Sequence, residues 1–183
     1  MTTLETRRLI SRPWQQADVE PFFALSSDPE VMRFFGGPQP RETVEAVVKT
    51  AMERQRDFGV WFQPLILKET GAFIGITGIA KVLFEAPFTP AVEIGWRLDP
   101  AHWGQGLVTE IGRAFIDYAF MERGFDELVS FAVHDNERSI AVMKRLGFTH
   151  DRGDDFDHPR VPDDLSHLKR HVLYRLRNGA GKG

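Results

Sequence analysis

Residues 92–120, "VEIGWRLDPAHWGQGLVTEIGRAFIDYAF", pass from one structural rhythm to another. In "VEIGWRL" the side chains alternate. Val92, Ile94, Trp96 and Leu98 share one face of an extended chain, and Glu93, Gly95 and Arg97 the other. Asp99 and Pro100 end that strand. From Gly106 the spacing turns helical, with Leu107, Ile111, Ala114, Phe115 and Tyr118 on one stripe and Gly124 closing it. Between strand and helix lies "HWGQGLVTE" (102–110), in which Gly104 and Gly106 flank Gln105. A helix N-terminus offers unpaired N–H groups and the positive end of the helix dipole, and glycines let an anion come close to them. The segment therefore predicts a strand, a phosphate-accepting turn and a helix.

Three phosphates compete for such a turn. A nucleotide triphosphate loop needs Gly-Lys-Ser/Thr at its end, which is missing here. A dinucleotide fingerprint needs a third glycine where this chain has Thr109, and it needs a parallel strand context. The pyrophosphate of coenzyme A is the third. Read alone, a G-x-G turn chooses none of them, because many strand-to-helix turns carry glycine only for its positive φ.

Upstream, "RLISRPW" (8–14) predicts a first strand after a loose polar tip at residues 1–8. Residues 17–35 predict two short helices broken around Ser26 to Pro29, with Asp28 capping the second and Pro29 at its first position. Residues 41–58 carry Val44, Val47, Val48, Ala51 and Met52 at helical spacing. In 61–84 two β-rich runs flank "KETGA", a hairpin with Gly71 in its turn, and Pro64 predicts a free edge nearby or a local irregularity. Downstream, 127–133 predicts a strand, 136–147 a helix with Asn136 as N-cap and Gly147 just past its end, and 148–152 and 167–177 the last strands. An acidic, proline-bearing loop at 153–166 separates those two. The expected fold class is α/β (α+β): one domain over residues 4–177, a mixed and mostly antiparallel sheet flanked by helices, then a flexible tail at 178–183.

Two blocks carry a wider resemblance: residues 92–120 quoted above, and "VHDNERSIAVMKRLGF" (133–148). In this order and spacing the chain resembles the GNAT (Gcn5-related) N-acetyltransferases, in the branch of the ribosomal-protein alanine acetyltransferases. The resemblance runs from "LETRRLISRPW" to "HVLYRL", almost the whole chain. The family signature, Arg or Gln, two residues, Gly, one residue, Gly or Ala, starts here at Trp103, meets Gly106 and ends at Val108.

The resemblance implies acetyl-CoA as cosubstrate, no metal, and a primary amine as acceptor, either a small molecule or a protein N-terminus. It implies that Trp103, Gly104, Gln105, Gly106, Leu107, Val108 and Thr109 form the pyrophosphate turn, and that the N–H groups from Gln105 to Thr109 cradle it. The pantetheine arm then pairs with the main chain near Trp96, Arg97 and Leu98. Five strand steps separate Leu98 from Glu93, roughly 17 Å at about 3.4 Å each, a span that brings the thioester to Glu93. Glu93 is thereby expected as the general base, against the plainer reading of a structural carboxylate paired with Arg97 or solvated. Many family members place a tyrosine acid where this chain has Met143. Ser139, one turn earlier, is the expected hydroxyl toward the sulfur, against a serine bonded to its own backbone. Asn136 is expected to cap its helix and to bond the pantetheine. Phe34, Phe35 and His171 are expected to border the acceptor groove. The rival function is a non-catalytic acyl-CoA sensor, which Met143 motivates.

His158, His167 and His171 also invite a metal reading, but His167 and His171 on one strand stand about 13 Å apart, too far to share an ion, and the plainer reading of the three is loop or substrate-groove residues. The chain has 183 residues, a net charge of −3, no cysteine and no long basic block. These argue against disulfides, a Cys nucleophile and direct nucleic-acid binding. Neither a signal peptide nor a membrane-length apolar run is visible, so the expectation is a cytoplasmic protein without a membrane partner, monomeric or homodimeric.

Overall fold

A computed structural model describes residues 2–59 and 61–179. The strands are β1 (Leu4–Glu5), β2 (Leu9–Ser11), β3 (Gln63–Leu67), β4 (Phe73–Lys81), β5 (Val92–Leu98), β6 (Glu127–Val133), β7 (Thr149–His150), β8 (Phe156–Asp157) and β9 (Arg170–Arg177). The helices are α1 (Val19–Ser27), α2 (Pro29–Met32), α3 (Arg41–Phe58), α4 (Leu107–Asp117) and α5 (Glu137–Arg145). Among the described residues the strands form one sheet in the order β1-β2-β3-β4-β5-β6-β9-β7, with β8 also on β9. Every pairing is antiparallel except β5 with β6. No helix among these residues is long and apolar enough to cross a membrane.

Local chemistry accounts for most boundaries. The Asp28 carboxylate accepts the Glu30 N–H at 2.7 Å and the Val31 N–H at 3.1 Å, with Pro29 opening α2, so the break between α1 and α2 is a cap. Gly71 turns the β3–β4 hairpin at φ +69°. On α3 only Val44, Val48 and Ala51 of the expected stripe are buried; Val47 and Met52 are exposed, a narrower seam against α1. Beyond α4 the chain widens into a π-helical turn at Tyr118–Glu122, so the long helix expected over 106–124 ends in a looser coil.

Several expectations are corrected. Within the N-terminal segment expected to be loose at its tip, Leu4–Glu5 pairs with β2, and Met1 lies outside the described residues. Pro64 lies in an interior strand between β2 and β4, beside a register shift at Leu65/Ile66, so the irregularity holds and the free edge does not. Pro64 still accepts the Arg12 N–H at 3.3 Å past the end of β2. The strand expected over 148–152 is only β7, and His167 sits in the 3-10 turn Asp163–Leu168, off β9. The acidic segment is ordered by β8 and by turns. Of the expected tail, residues 180–183 lie outside the described residues, while Asn178 bonds Asp126 at 2.8 Å.

The main core lies between the sheet and helices α4 and α5, built on Ile94, Leu98, Leu107, Ile111, Phe115 and Met143. A second core packs α1, α2 and α3 over the sheet's other face. The two faces of β5 look into different surroundings, which positions the site.

Candidate active site

Two cavities meet along β5. The first, about 680 Å³, runs from the glycine turn along α5, and the second, about 390 Å³, lies between β5, β6 and the loops above them. Trp96, Arg97, Asn136 and Ser139 line both.

The opening arises from the sheet. β5 is bonded to β4 along its length and β6 to β9 along its length, yet β5 and β6 register with each other only at Glu93 and Val129. Beyond that pair they part, and residues 94–97 and 130–133 border the second cavity. Past that pair the inner edge of β5 has no strand partner among the described residues. At the two ends of the β4–β5 ladder Asp99 N–H donates to Ile74 at 2.9 Å and Val82 N–H to Ala91 at 2.9 Å. Antiparallel bonding alternates, so odd-numbered residues of β5 bond β4, and the N–H and C=O groups of Trp96 and Leu98 face the gap, while the Ile94 N–H serves the single β5–β6 bridge. One of these is already used: Trp103 Nε1 donates to the Leu98 carbonyl at 2.8 Å. Pairing of a ligand at Leu98 is thereby limited to its N–H, and Trp96 is left with both groups open.

At the turn, Gly104 and Gly106 hold φ of +73° and +72°. A Cβ on Gly104 would meet nothing within 4 Å, and one on Gly106 only Arg8 Nη2 at 3.9 Å, so space stands open above both. Glu110 N–H makes the first helical bond, to Gly106 O at 3.0 Å, and Gly106 has no side chain to cap with. The N–H groups of Leu107, Val108 and Thr109 thus have no partner within the helix. Gln105 is the exception among the expected turn residues. It does not line the cavity; its side chain donates to Ala101 O at 3.1 Å and its carbonyl accepts from Arg8 Nη1 at 3.1 Å. Arg8 Nε also holds the Glu110 carboxylate at 2.7 Å, with Thr6 Oγ1 on the same group at 2.6 Å. Burial alone would raise the Glu110 pKa, but these donors outweigh it and hold the carboxyl below its usual range. The turn between β1 and β2 is thereby tied to the first turn of α4, where a negative charge also suits the dipole.

Glu93 faces the second cavity with Gly95 and Arg97, as the alternation predicts, and is half-buried. Burial pushes its carboxyl up to about 8, with Arg160 opposing. It forms no ion pair with Arg97 among the described residues. The Arg97 guanidinium turns toward α1 instead, 3.5 Å from Ser26 Oγ and 4.1 Å from the Phe35 ring centre, with its Nε buried and unbonded. Burial lowers its pKa to about 10, so it stays cationic at neutral pH. Phe35 is 48% exposed at the mouth, and Phe34 lines both cavities.

On α5, Asn136 Oδ1 accepts the Ser139 N–H at 3.2 Å, which is the expected cap. The Ser139 hydroxyl makes no hydrogen bond among the described residues, so it is not tied to its own backbone. Met143 is 0% exposed, packs in the main core and lines neither cavity. That helix position points inward, and Ser139 carries the hydroxyl where the cavities join.

His171 lines the second cavity as expected, and His158 joins it, with ring centroids 5.0 Å apart. His158 lines it as one of the histidines expected in a loop or the substrate groove. Arg160 is the lining residue that sequence reasoning missed, and its only signal was an Arg in a loop otherwise read as acidic. Burial, then His171 and Arg160, lower the His158 pKa to about 4. Burial also lowers that of His171. Among the described residues no group of three or more His, Asp or Glu is placed to hold a metal ion.

Comparison with known proteins gives the following. The acetyltransferase (GNAT) domain family matches residues 8–149. A Bacillus subtilis protein designated YkkB is 31% identical over 147 residues, covering 80% of this chain and 84% of its own. The FsC-acetyl coenzyme A-N(2)-transacetylase of Aspergillus fumigatus is 32% identical over 157 residues, covering 81% of this chain and 65% of its own. The crystal structure of an acetyltransferase from Agrobacterium tumefaciens superposes with a TM-score of 0.76 at 30% identity, covering 97% of this chain and 95% of that one.

Proposed function

We propose, from the premise that this chain belongs to the GNAT acetyltransferase family, that it moves an acetyl group from acetyl-CoA to a primary amine by direct attack of the amine on the thioester. The observation that carries the reading is the parting of β5 from β6, which leaves an open strand edge leading from a glycine turn to the Glu93 carboxylate.

The residues fit the cosubstrate. Three uncapped N–H groups at Leu107, Val108 and Thr109 suit a pyrophosphate, with Trp103, Gly104 and Gly106 as the wall of the cradle. The open N–H and C=O of Trp96 suit an amide-bearing arm, flanked by Asn136 across the gap. Bound acetyl-CoA supplies an acetyl group already activated as a thioester. The chain's residues do the rest. Glu93 takes the proton that the amine gives up, directly or through water. The free Ser139 hydroxyl donates toward the sulfur. The cavity holds the amine beside the acyl group, an advantage of proximity. The sensor alternative rested on Met143, a residue of the core that lines neither cavity. The acceptor is a small molecule or a protein N-terminus, the setting the cytoplasm, and the working unit a monomer or homodimer without membrane or nucleic-acid partners.

Acetyl-CoA at about 100 times its Kd stabilises the fold by about 2.7 kcal/mol, which raises Tm by about 5–10 °C for a domain of this size. ATP and NAD at equal concentration leave Tm unchanged. Equal shifts with all three would remove the cofactor assignment.

A further inference from the structure

The second cavity is specific enough in shape and charge to name an acceptor class. This inference rests on the acetyltransferase reading above. We propose that the acceptor is a small primary amine on a flat aromatic or heteroaromatic body, with no second positive charge.

The size and walls come first. About 390 Å³ holds a small molecule, and Phe34, Phe62, Phe131, His158 and His171 present five flat rings to it. Phe131 is itself locked edge-on against Phe84 and Phe156, at 5.9 and 5.5 Å between centroids, so that wall is fixed.

A roof comes next. A Cβ on Gly36 would lie 3.1 Å from Leu165 Cδ1, so the loop after α2 and the turn Asp163–Leu168 touch, and both line the cavity. The second loop is pinned. His158 N–H donates to Lys169 O at 2.8 Å, Val161 N–H to His158 O at 3.1 Å, and Arg160 bonds the Leu83 carbonyl. The cavity is bounded by the sheet on one side and by joined loops on another, which suits a compact molecule better than a polypeptide chain.

Charge narrows the class further. Glu93 is the one carboxylate among the described residues lining this cavity, against the guanidinium groups of Arg97 and Arg160. One amine is accommodated; a second cation has no partner and faces repulsion.

The imidazoles give the floor a polar edge. Arg160 N–H donates to His158 Nδ1 at 3.2 Å, so the neutral ring carries its proton on Nε2. The Lys169 carbonyl can only accept, at 3.0 Å, so His171 holds its proton on Nδ1 and keeps Nε2 bare. One ring thus offers an N–H and the other a lone pair, and neither Nε2 has a protein partner among the described residues. A heteroaromatic edge fits that pair.

The test is a thiol-release assay on the full chain at saturating acetyl-CoA. The four acceptors are 2-phenylethylamine, its saturated cyclohexyl analogue, spermidine and an alanine-initiated tetrapeptide. The expected kcat/KM for 2-phenylethylamine exceeds those for spermidine and the peptide by at least about tenfold, and that for the cyclohexyl analogue by a smaller factor. Leu165→Ala, which removes the roof contact from a half-buried side chain, narrows the aryl-over-peptide ratio by about tenfold at little cost in Tm. Spermidine or the peptide matching or beating the aryl amine overturns this inference and leaves the acetyltransferase reading standing. Silence with all four, while acetyl-CoA still binds, overturns both.

Discussion

Glu93→Gln lowers kcat by about 10²–10⁴-fold, the range a positioned general base contributes, while the Kd for acetyl-CoA stays within about twofold. The substitution keeps the shape of the side chain and removes its capacity to take a proton. The pH dependence identifies the role. Burial holds the wild-type carboxyl near about 8, so the base form gains ground as pH rises and kcat/KM climbs through that value. With an acceptor amine whose own pKa lies below about 7, the inflection belongs to the enzyme, and Glu93→Gln flattens it. Stability supplies the control. A carboxyl whose folded pKa is raised binds more protons folded than unfolded, so it lowers stability as pH rises from its ordinary range toward about 8. Glutamine carries no such penalty, and the variant melts no lower than the wild type at neutral pH and higher than it above pH 8. A wild-type rate across that range would reduce Glu93 to a structural residue.

Gly106→Val raises the Kd for acetyl-CoA by about 100-fold, measured by calorimetry. Gly106 sits at φ +72° with open space above it, so a branched side chain strains the backbone and occupies the cavity where the first-turn N–H groups of α4 are presented. The strain costs about 1–2 kcal/mol of stability, a loss that leaves the domain folded because the new Cβ approaches only Arg8, at 3.9 Å. Loss of several charge-assisted hydrogen bonds to a phosphate accounts for about 3 kcal/mol of the affinity. Unaltered affinity in a folded variant would move the phosphates away from this turn.

The features legible in the sequence are those set by neighbours in the chain. Asp28 before Pro29, Gly71 in a hairpin, Asn136 three residues before Ser139 and the alternation around Glu93 each act within a few residues, and each stands as read. What was not legible depends on distant contacts. The parting of β5 from β6, each of which keeps its own outer partner, is a fact of sheet topology between segments distant in the chain. Residues 153–166 read as a plain loop because their partners are remote: Phe156 packs on Phe88 and Phe131, and Leu165 meets Gly36. Matching by motif put Met143 where the family resemblance implies a tyrosine acid, but motif spacing does not report which way a helix face turns, and this one turns into the core. Arg97 was read for its main chain beside the pantetheine arm, and the reach of its side chain back to Ser26 and Phe35 is a contact that no local pattern announces.

The most direct measurement is a single turnover of the protein loaded with acetyl-CoA that is isotopically labelled in its acetyl group, mixed with amine and read by mass spectrometry of both the amine and the intact protein. Direct transfer at Glu93 predicts the label on the amine, one thiol released for each acetyl moved, and no label on the protein. Label bound covalently to the protein, or left on coenzyme A with every amine offered, would contradict it.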